Sequence, residues 1–235
     1  MSSTTSRRDR LRADTSAQIK AIALKLMADG GPDAISLRAI AREMGMTAGA
    51  IYGYFPTRDN LVTTLIGELY TAVVEAAESA RDAVPDGDPG GRIMAWARVV
   101  REWALANPEG FRLIYGDPVP GYRPPEDRPG KEAEIRACTG LVGLVAAAWP
   151  AAGTLQTDDR EYAWADFDPA LVTHVREAFP GLPPAAVALT LRVWGRMHGL
   201  LALEIYGHLR SLIHDPATVY HDEMRNLVAS LGLSP

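Results

Sequence analysis

The stretch LRAIAREMGMTAGAIYGYF, Leu37 to Phe55, contains two short apolar patterns separated by Gly45, Met46 and Thr47. In the first, Leu37, Ile40, Ala41 and Met44 recur at helical spacing until Gly45 stops the run. Thr47 then stands where a hydroxyl can accept from the free amides of a new helix, which Pro56 ends. Gly45 can take the positive φ of a sharp turn, and Ala41 is small enough to let the two helices approach. Two short helices joined in this way, with a third upstream, make a helix-turn-helix. Advancing about 100° per residue, Ala48, Ile51 and Phe55 face inward, Gly49, Ala50, Gly53 and Tyr54 face outward, and Tyr52 lies at the boundary. The outer face is thus small and uncharged, with tyrosine at its edge. Such a face lets a helix lie deep in the major groove of DNA, where base edges are reached by hydrogen bonds and apolar contacts. The same pattern would also serve a compact helical hairpin whose tyrosines are half-buried ring contacts.

Outward from this stretch the chain continues to read as helix. Ile19, Ile22, Ala23 and Leu26 form one stripe, closed by Gly30, Gly31 and Pro32. Ser36 is placed to cap the helix that follows, and Thr57 to cap a fourth running from Arg58 to about Arg81. The turn-rich PDGDPGG, Pro85 to Gly91, leads to a helix over Arg92 to Ala106 and a short one over Glu109 to Tyr115. Five prolines within Gly116 to Gly130 predict an irregular but ordered loop. Lys131 to Trp149 is helical again, and Pro150 to Asp168 forms a second long connection carrying Tyr162, Trp164 and Phe167. Connections of that length are uncommon unless functional or mobile, and a lid over a pocket is one use for them. Asp168 caps a helix over Pro169 to Phe179, followed by Pro183 to Leu212 and Pro216 to Leu231. The expected fold is all-α, with nine or ten helices.

Charge divides the chain unevenly. Residues 1–66 hold nine Lys/Arg against six Asp/Glu, net +3, while residues 67–235 hold fifteen against twenty-three, net -8. A basic amino-terminal piece on an acidic body is expected where only one end meets a polyanion. Arg7, Arg8, Arg10 and Arg12 read as a flexible basic arm over residues 1–14, either solvated or touching DNA. The lone Cys138 excludes an internal disulfide framework, and the arginine-rich start lacks the apolar run of a secretory signal. No segment reads as membrane-spanning: Leu141 to Trp149 is too short, and Val187 to Tyr206 is broken by Arg192, Arg196 and Glu204. The expected location is the cytoplasm.

Residues 17–66 resemble the amino-terminal DNA-binding domain of the TetR/AcrR family of transcriptional regulators. The resemblance is carried by MADGGPDAISLRAIAREMGMTAGAIYGYFPTRDNL, Met27 to Leu61, including its Tyr-x-x-Phe ending. It implies groove contacts from Thr47, Ala48, Gly49 and Tyr52, phosphate contacts from Tyr54 and Arg58, and a base or backbone contact from Arg38. Arg58 stands where a lysine is more usual, and Gly53 with Tyr54 where family members often have a bulkier residue and a histidine. Such roles suit the physics, since phosphate contacts set docking register and groove contacts carry sequence information. The implied organisation is a helix-turn-helix domain over 15–62 and a helical effector-binding and dimerisation domain over 63–235.

In the second half, VWGRMHGLLALEIYGHL, Val193 to Leu209, resembles the Trp-x-x-x-His-Gly signature of one carboxy-terminal subgroup of that family. This helix is apolar nearly all round, which requires cover on more than one side. The resemblance implies that Ala185 to Leu212 and Pro216 to Leu231 pair with their copies in a homodimer, so that the operator is a pseudo-palindrome. It also implies an effector pocket, for which Trp96, Trp103, Phe111, Tyr115, Trp149, Trp194, Met197 and His198 are the candidate lining residues. For each of these, packing within the core competes with ligand contact. The expected function is a repressor released from its operator by a small, largely apolar effector, with the fourth helix as the lever. No cofactor, metal or catalytic residue is expected: the five histidines form no HExxH, and no GxSxG, Walker loop or GxGxxG is present. The alternative is a helical small-molecule-binding protein or enzyme that does not bind DNA; the combination of Thr47, Tyr52, Tyr54 and Arg58 at a helix-turn-helix exit argues against it.

Overall fold

The structure is a computed structural model that describes residues 6–116, 119–125, 128–156 and 161–234. Its α-helices are α1 (Arg7–Gly30), α2 (Leu37–Glu43), α3 (Ala48–Tyr52), α4 (Arg58–Asp82), α5 (Pro89–Ala106), α6 (Pro108–Tyr115), α7 (Lys131–Ala152), α8 (Pro169–Ala178), α9 (Pro184–Ile205) and α10 (Pro216–Ser230). The described residues contain no strand. The chain divides into two compact units, Met1–Thr71 with Asn107–Lys131, and Ala72–Ala106 with Glu132–Pro235. The division falls later along α4 than the expected 62/63 boundary, and α6 with its following loop belongs to the first unit.

The start of α1 differs from the flexible arm expected over residues 1–14. Ser6 caps the helix, accepting from the amide of Asp9, whose carboxylate in turn accepts from the amide of Ser6. This reciprocal pair satisfies two free amides at the helix start. Residues 1–5 lie outside the described residues. The segment RRDRLRADTS lacks an apolar stripe, so periodicity does not reveal its helix, although Arg, Leu and Ala all favour one.

In the first unit, Ile19, Ala23 and Met27 of α1 pack with Leu37, Ile40 and Ala41 of α2, Ile51 of α3, and Leu61, Val62 and Leu65 of α4. Each fully buried aliphatic side chain in such a core contributes about 1.5–3 kcal/mol. Leu113 of α6 and Val119 join the same cluster. The proline-rich segment is thereby docked rather than free: Tyr122 and Thr63 hydroxyls are 2.9 Å apart, and a Cβ on Gly67 would meet the Pro129 carbonyl oxygen at 2.5 Å.

In the second unit α10 packs against both α9 and α5. Arg101 of α5 makes a two-pronged pair with Glu204 of α9, at 2.6 and 2.8 Å, and the Tyr220 hydroxyl of α10 donates to the Ala97 carbonyl at 3.1 Å. Val142 of α7, Val175 of α8 and Val187 of α9 form a separate cluster, against which Trp164 and Phe167 of the long connection pack. Helix α7 runs past the expected end at Trp149 and includes Pro150. By length and composition alone, residues 131–155 are apolar enough to cross a membrane. Val142, Leu144, Val145, Ala148 and Ala152 of that stretch are buried within the fold. Helix α9 ends at Ile205 rather than Leu212, because the chain turns at Gly207, where φ is 80°.

Candidate nucleic-acid interface and the second-unit cavity

The helix-turn-helix is closed by local chemistry. Gly45 adopts φ 63°, and the amide of Met46 donates to the carbonyl of Ala41 at 2.9 Å, tying the turn to the end of α2. Thr47 caps α3 by accepting from the amide of Ala50 at 3.2 Å. Ser36 occupies the matching position before α2, but its side chain makes no capping bond. Ile51 is completely buried, which fixes the rotation of α3 about its axis. That rotation leaves Thr47, Ala48, Gly49, Ala50 and Tyr52 exposed, with Arg38 exposed on α2.

Two positions differ from the wheel drawn from sequence. Ala48, expected to face inward, is exposed, because α3 covers only Ala48–Tyr52 and one inward residue, Ile51, suffices to seat it. Tyr54, expected outside, is half-buried beyond the end of α3 and packs against the core cluster. The guanidinium of Arg12 lies 4.9 Å from the Tyr54 ring centroid, and its Nη2 donates to the Gly53 carbonyl at 2.9 Å. Arg12 therefore ties the exit of α3 to α1, a role that sequence spacing does not reveal across forty-one positions. Arg7, Arg8, Leu11, Arg12, Thr15 and Tyr54 together line an open groove beside this contact.

Arg58 has partners within the fold that its sequence position does not reveal. Resemblance implies a phosphate contact, yet Nε donates to the Ile35 carbonyl at 2.8 Å, Nη2 to Pro32 at 2.9 Å and Nη1 to Pro120 at 3.1 Å. Three of the guanidinium's five N–H groups are thus committed to backbone oxygens. Arg58 is a clasp joining the α1–α2 connection to the proline-rich segment, and the free amides at the start of α4 are served by Thr57, whose hydroxyl accepts from Asn60 at 3.1 Å.

The second unit holds a cleft of about 570 Å³. It is lined by Glu78, Arg81 and Asp82 of α4, Arg92 of α5, and residues of α7 and α8 that include Leu144 and Phe179. None of the eight residues expected to contact an effector lines it. Phe111 and Tyr115 lie in the first unit, in a ring group in which Tyr115 meets Tyr70 edge-on and Phe111 at a tilt. Trp96 is buried beneath the cleft: a Cβ on Gly140 would meet its ring at 2.5 Å. Met197 is buried, whereas Trp103 and Trp149 are half-buried away from these walls. Trp194 is exposed, with the half-buried His198 ring 5.5 Å from it, and both Gly195 and Gly199 open onto empty space. An aromatic ring can be buried in packing, as Trp96 and Phe111 are, without facing this cleft. The residues that do line the cleft are mostly charged or small, and no local pattern marks them.

Comparison with known proteins places these features in context. Residues 19–65 match the family of bacterial regulatory proteins of the tetR family, and residues 93–227 match the tetracycline repressor-like C-terminal domain. The HTH-type transcriptional regulator Rv1816 of Mycobacterium tuberculosis is 33% identical over 231 residues, covering 96% of this chain and 95% of that protein. Mb1846 of Mycobacterium bovis, also an HTH-type transcriptional regulator, matches equally. Among solved structures, the regulatory protein SCO4313 has a TM-score of 0.73 at 34% identity, covering 95% of this chain and all of its own. A regulatory protein of the tetR family from Rhodococcus RHA1 shares the fold with a TM-score of 0.62 at 19% identity, covering 94% and 98% of the two chains. The helix-turn-helix geometry and matches along nearly the whole chain agree: this protein belongs to the TetR family of DNA-binding transcriptional regulators.

Proposed function

We propose that the protein is a homodimeric cytoplasmic repressor that reads a pseudo-palindromic operator with α3 and releases it when a small effector occupies the second unit. The observation that carries this reading is the bare outer face of α3, where Thr47, Ala48, Gly49 and Tyr52 stand exposed beside Arg38. Small side chains let the helix backbone approach base edges, and threonine and tyrosine supply polar reach. Phosphate contacts on this reading come from Arg38, the Tyr54 hydroxyl and Arg7, Arg8 and Arg10 at the start of α1, since Arg12 and Arg58 are engaged within the fold.

The outward stripe of α9 supports dimerisation. Leu191, Trp194, Leu203 and Tyr206 are exposed, and Gly195 and Gly199 leave room between them for a second helix. A contiguous apolar face of this kind calls for a partner, and twofold pairing through it would give a twofold operator. Effector control follows if the ligand binds one arrangement of the second unit more tightly, because coupling requires that differential affinity. Helix α4 belongs by sequence to both units and contributes Glu78, Arg81 and Asp82 to the cleft, which suits it to transmit the change.

Selection of sites from random duplex DNA with the full chain tests this reading. A twofold-symmetric sequence is expected to enrich; a failure to enrich any such sequence would favour a helical binding protein without DNA recognition. Trp194→Glu is expected to convert the dimer to monomer in sedimentation and to weaken site binding with it. A dimer that survives the substitution would move the interface off this stripe.

A further inference from the structure

The 570 Å³ cleft of the second unit falls within the ~300–1,000 Å³ range of small-molecule sites, and its walls are chemically unlike. Glu78, Arg81, Asp82, Asp86 and Arg92 make a charged wall from α4, the α4–α5 turn and α5. Gly140, Gly143, Leu144 and Ala147 of α7, with Phe179 after α8, make an apolar one. We propose that the cleft binds an amphiphilic organic acid, with the ligand carboxylate taking the place of Asp86 on Arg92 and the apolar body lying along α7. The proposal rests on the reading above that the second unit holds the effector, and it names that effector's chemical class.

The ion pairs are unequal in a way that selects the sign of the ligand. Arg92 is held in place from behind: its Nε donates to the Val84 carbonyl at 3.1 Å, and its side chain is 20% exposed. The Asp86 carboxylate that meets its Nη2 is 91% exposed. Arg81 repeats the pattern, lying 5.9 Å from the Trp96 ring centroid at 23% exposure, whereas its partner Asp82 is 57% exposed. Both guanidiniums are fixed by the protein, and both carboxylates are largely hydrated. Exchanging a hydrated carboxylate for one carried by a ligand preserves the charge-assisted bonds and leaves no buried charge without a partner. An amine would meet two anchored guanidiniums of its own sign, and its carboxylate partners would be ones already hydrated. A neutral molecule could accept only uncharged hydrogen bonds from this wall, which are weaker than those to a carboxylate.

The rest of the polar lining is engaged. Arg136 pairs with Glu78, which is itself only 23% exposed. The Thr139 hydroxyl is hydrogen-bonded to the Ile135 carbonyl at 2.8 Å and to Nε2 of His174. Of the two anchored guanidiniums, Arg92 has the more solvated partner, 91% exposed against 57% for that of Arg81, and its planar fork is the seat for the head group. Asp86 belongs to the turn that joins α4 to α5, in which Arg92 also holds the Val84 carbonyl.

Decanoate, 1-decanol and decylamine share one chain length and differ in head group. Titrated calorimetrically into the full chain at pH 7, below their aggregation concentrations, decanoate is expected to bind and the other two at least tenfold more weakly. Arg92→Gln is expected to weaken decanoate binding at least tenfold. Leu144→Trp fills the apolar wall while leaving Arg92 in place, and is expected to abolish binding in a protein whose melting transition is retained. Equal or tighter binding of the alcohol or the amine, no binding of decanoate, or undiminished decanoate binding by either variant would overturn the proposal. Operator affinity measured without any of the three compounds tests the regulator reading separately. Decanoate binding that leaves operator affinity unchanged would keep the acid site and remove its effector role.

Discussion

The two units of this chain present polar chemistry in opposite ways. Around α3, two arginines are spent on the fold: Arg12 holds Gly53 and Tyr54, and Arg58 holds Pro32, Ile35 and Pro120. What remains at the surface of α3 is small and neutral. Around the cleft of the second unit, Arg81 and Arg92 are also anchored, but their carboxylate partners stand in water. The first arrangement gives a rigid, sterically open surface suited to a large partner that brings its own charge and hydrogen-bonding groups. The second keeps charged positions exchangeable, which suits a small ligand that must enter, replace a side chain and leave.

If the rigidity of the first unit comes from its core and its clasp, removing either should act on stability before it acts on recognition. Ile51 is completely buried and seats α3, so Ile51→Ala is expected to cost about 3 kcal/mol, within the range for deleting a buried aliphatic group. Denaturant unfolding would measure the loss, and DNA binding should fall with it at 37 °C. A loss below about 1 kcal/mol would mean that α3 is held mainly by its turn.

Arg58→Ala is expected to cost about 2 kcal/mol, because three carbonyl oxygens lose a charged donor. The same variant, assayed under conditions where it remains folded, should keep the wild-type slope of log affinity against log salt. A cation that neutralises one phosphate contributes about 0.9 to that slope, so a flattening by roughly that amount would return Arg58 to the DNA contacts and break the contrast drawn here.

The uneven legibility of the sequence follows the same division. The turn at Gly45, the cap at Thr47 and the stop at Pro56 lie within a few residues of one another, and local chemistry determines their structure. Ile40 and Ile51 were readable as core from spacing alone, and both are completely buried. Arg58 was not readable as a clasp, since its partners lie twenty-three, twenty-six and sixty-two residues away. The cleft was hidden for the same reason: Arg92 and Phe179 share a lining that no periodicity connects. Trp194 and His198 fell on a helix correctly read as apolar all round, but composition does not say which side meets the chain's own core. The start of α1 was missed because a capping box can hold a polar helix that has no buried stripe.

On the function proposed above, the exposed face of α3 reads bases while the bracing arginines behind it do not. That division is tested most directly by the ratio of affinities for the selected operator and for a shuffled duplex, measured by equilibrium titration with wild type and Tyr52→Ala at several salt concentrations. Tyr52 is 43% exposed, so its removal should leave the oligomeric state and the salt slope unchanged. The account predicts that the specificity ratio falls about tenfold, the ~1–3 kcal/mol scale of one base contact. An unchanged ratio, or an equal loss of affinity for both duplexes with a flatter salt slope, would contradict it.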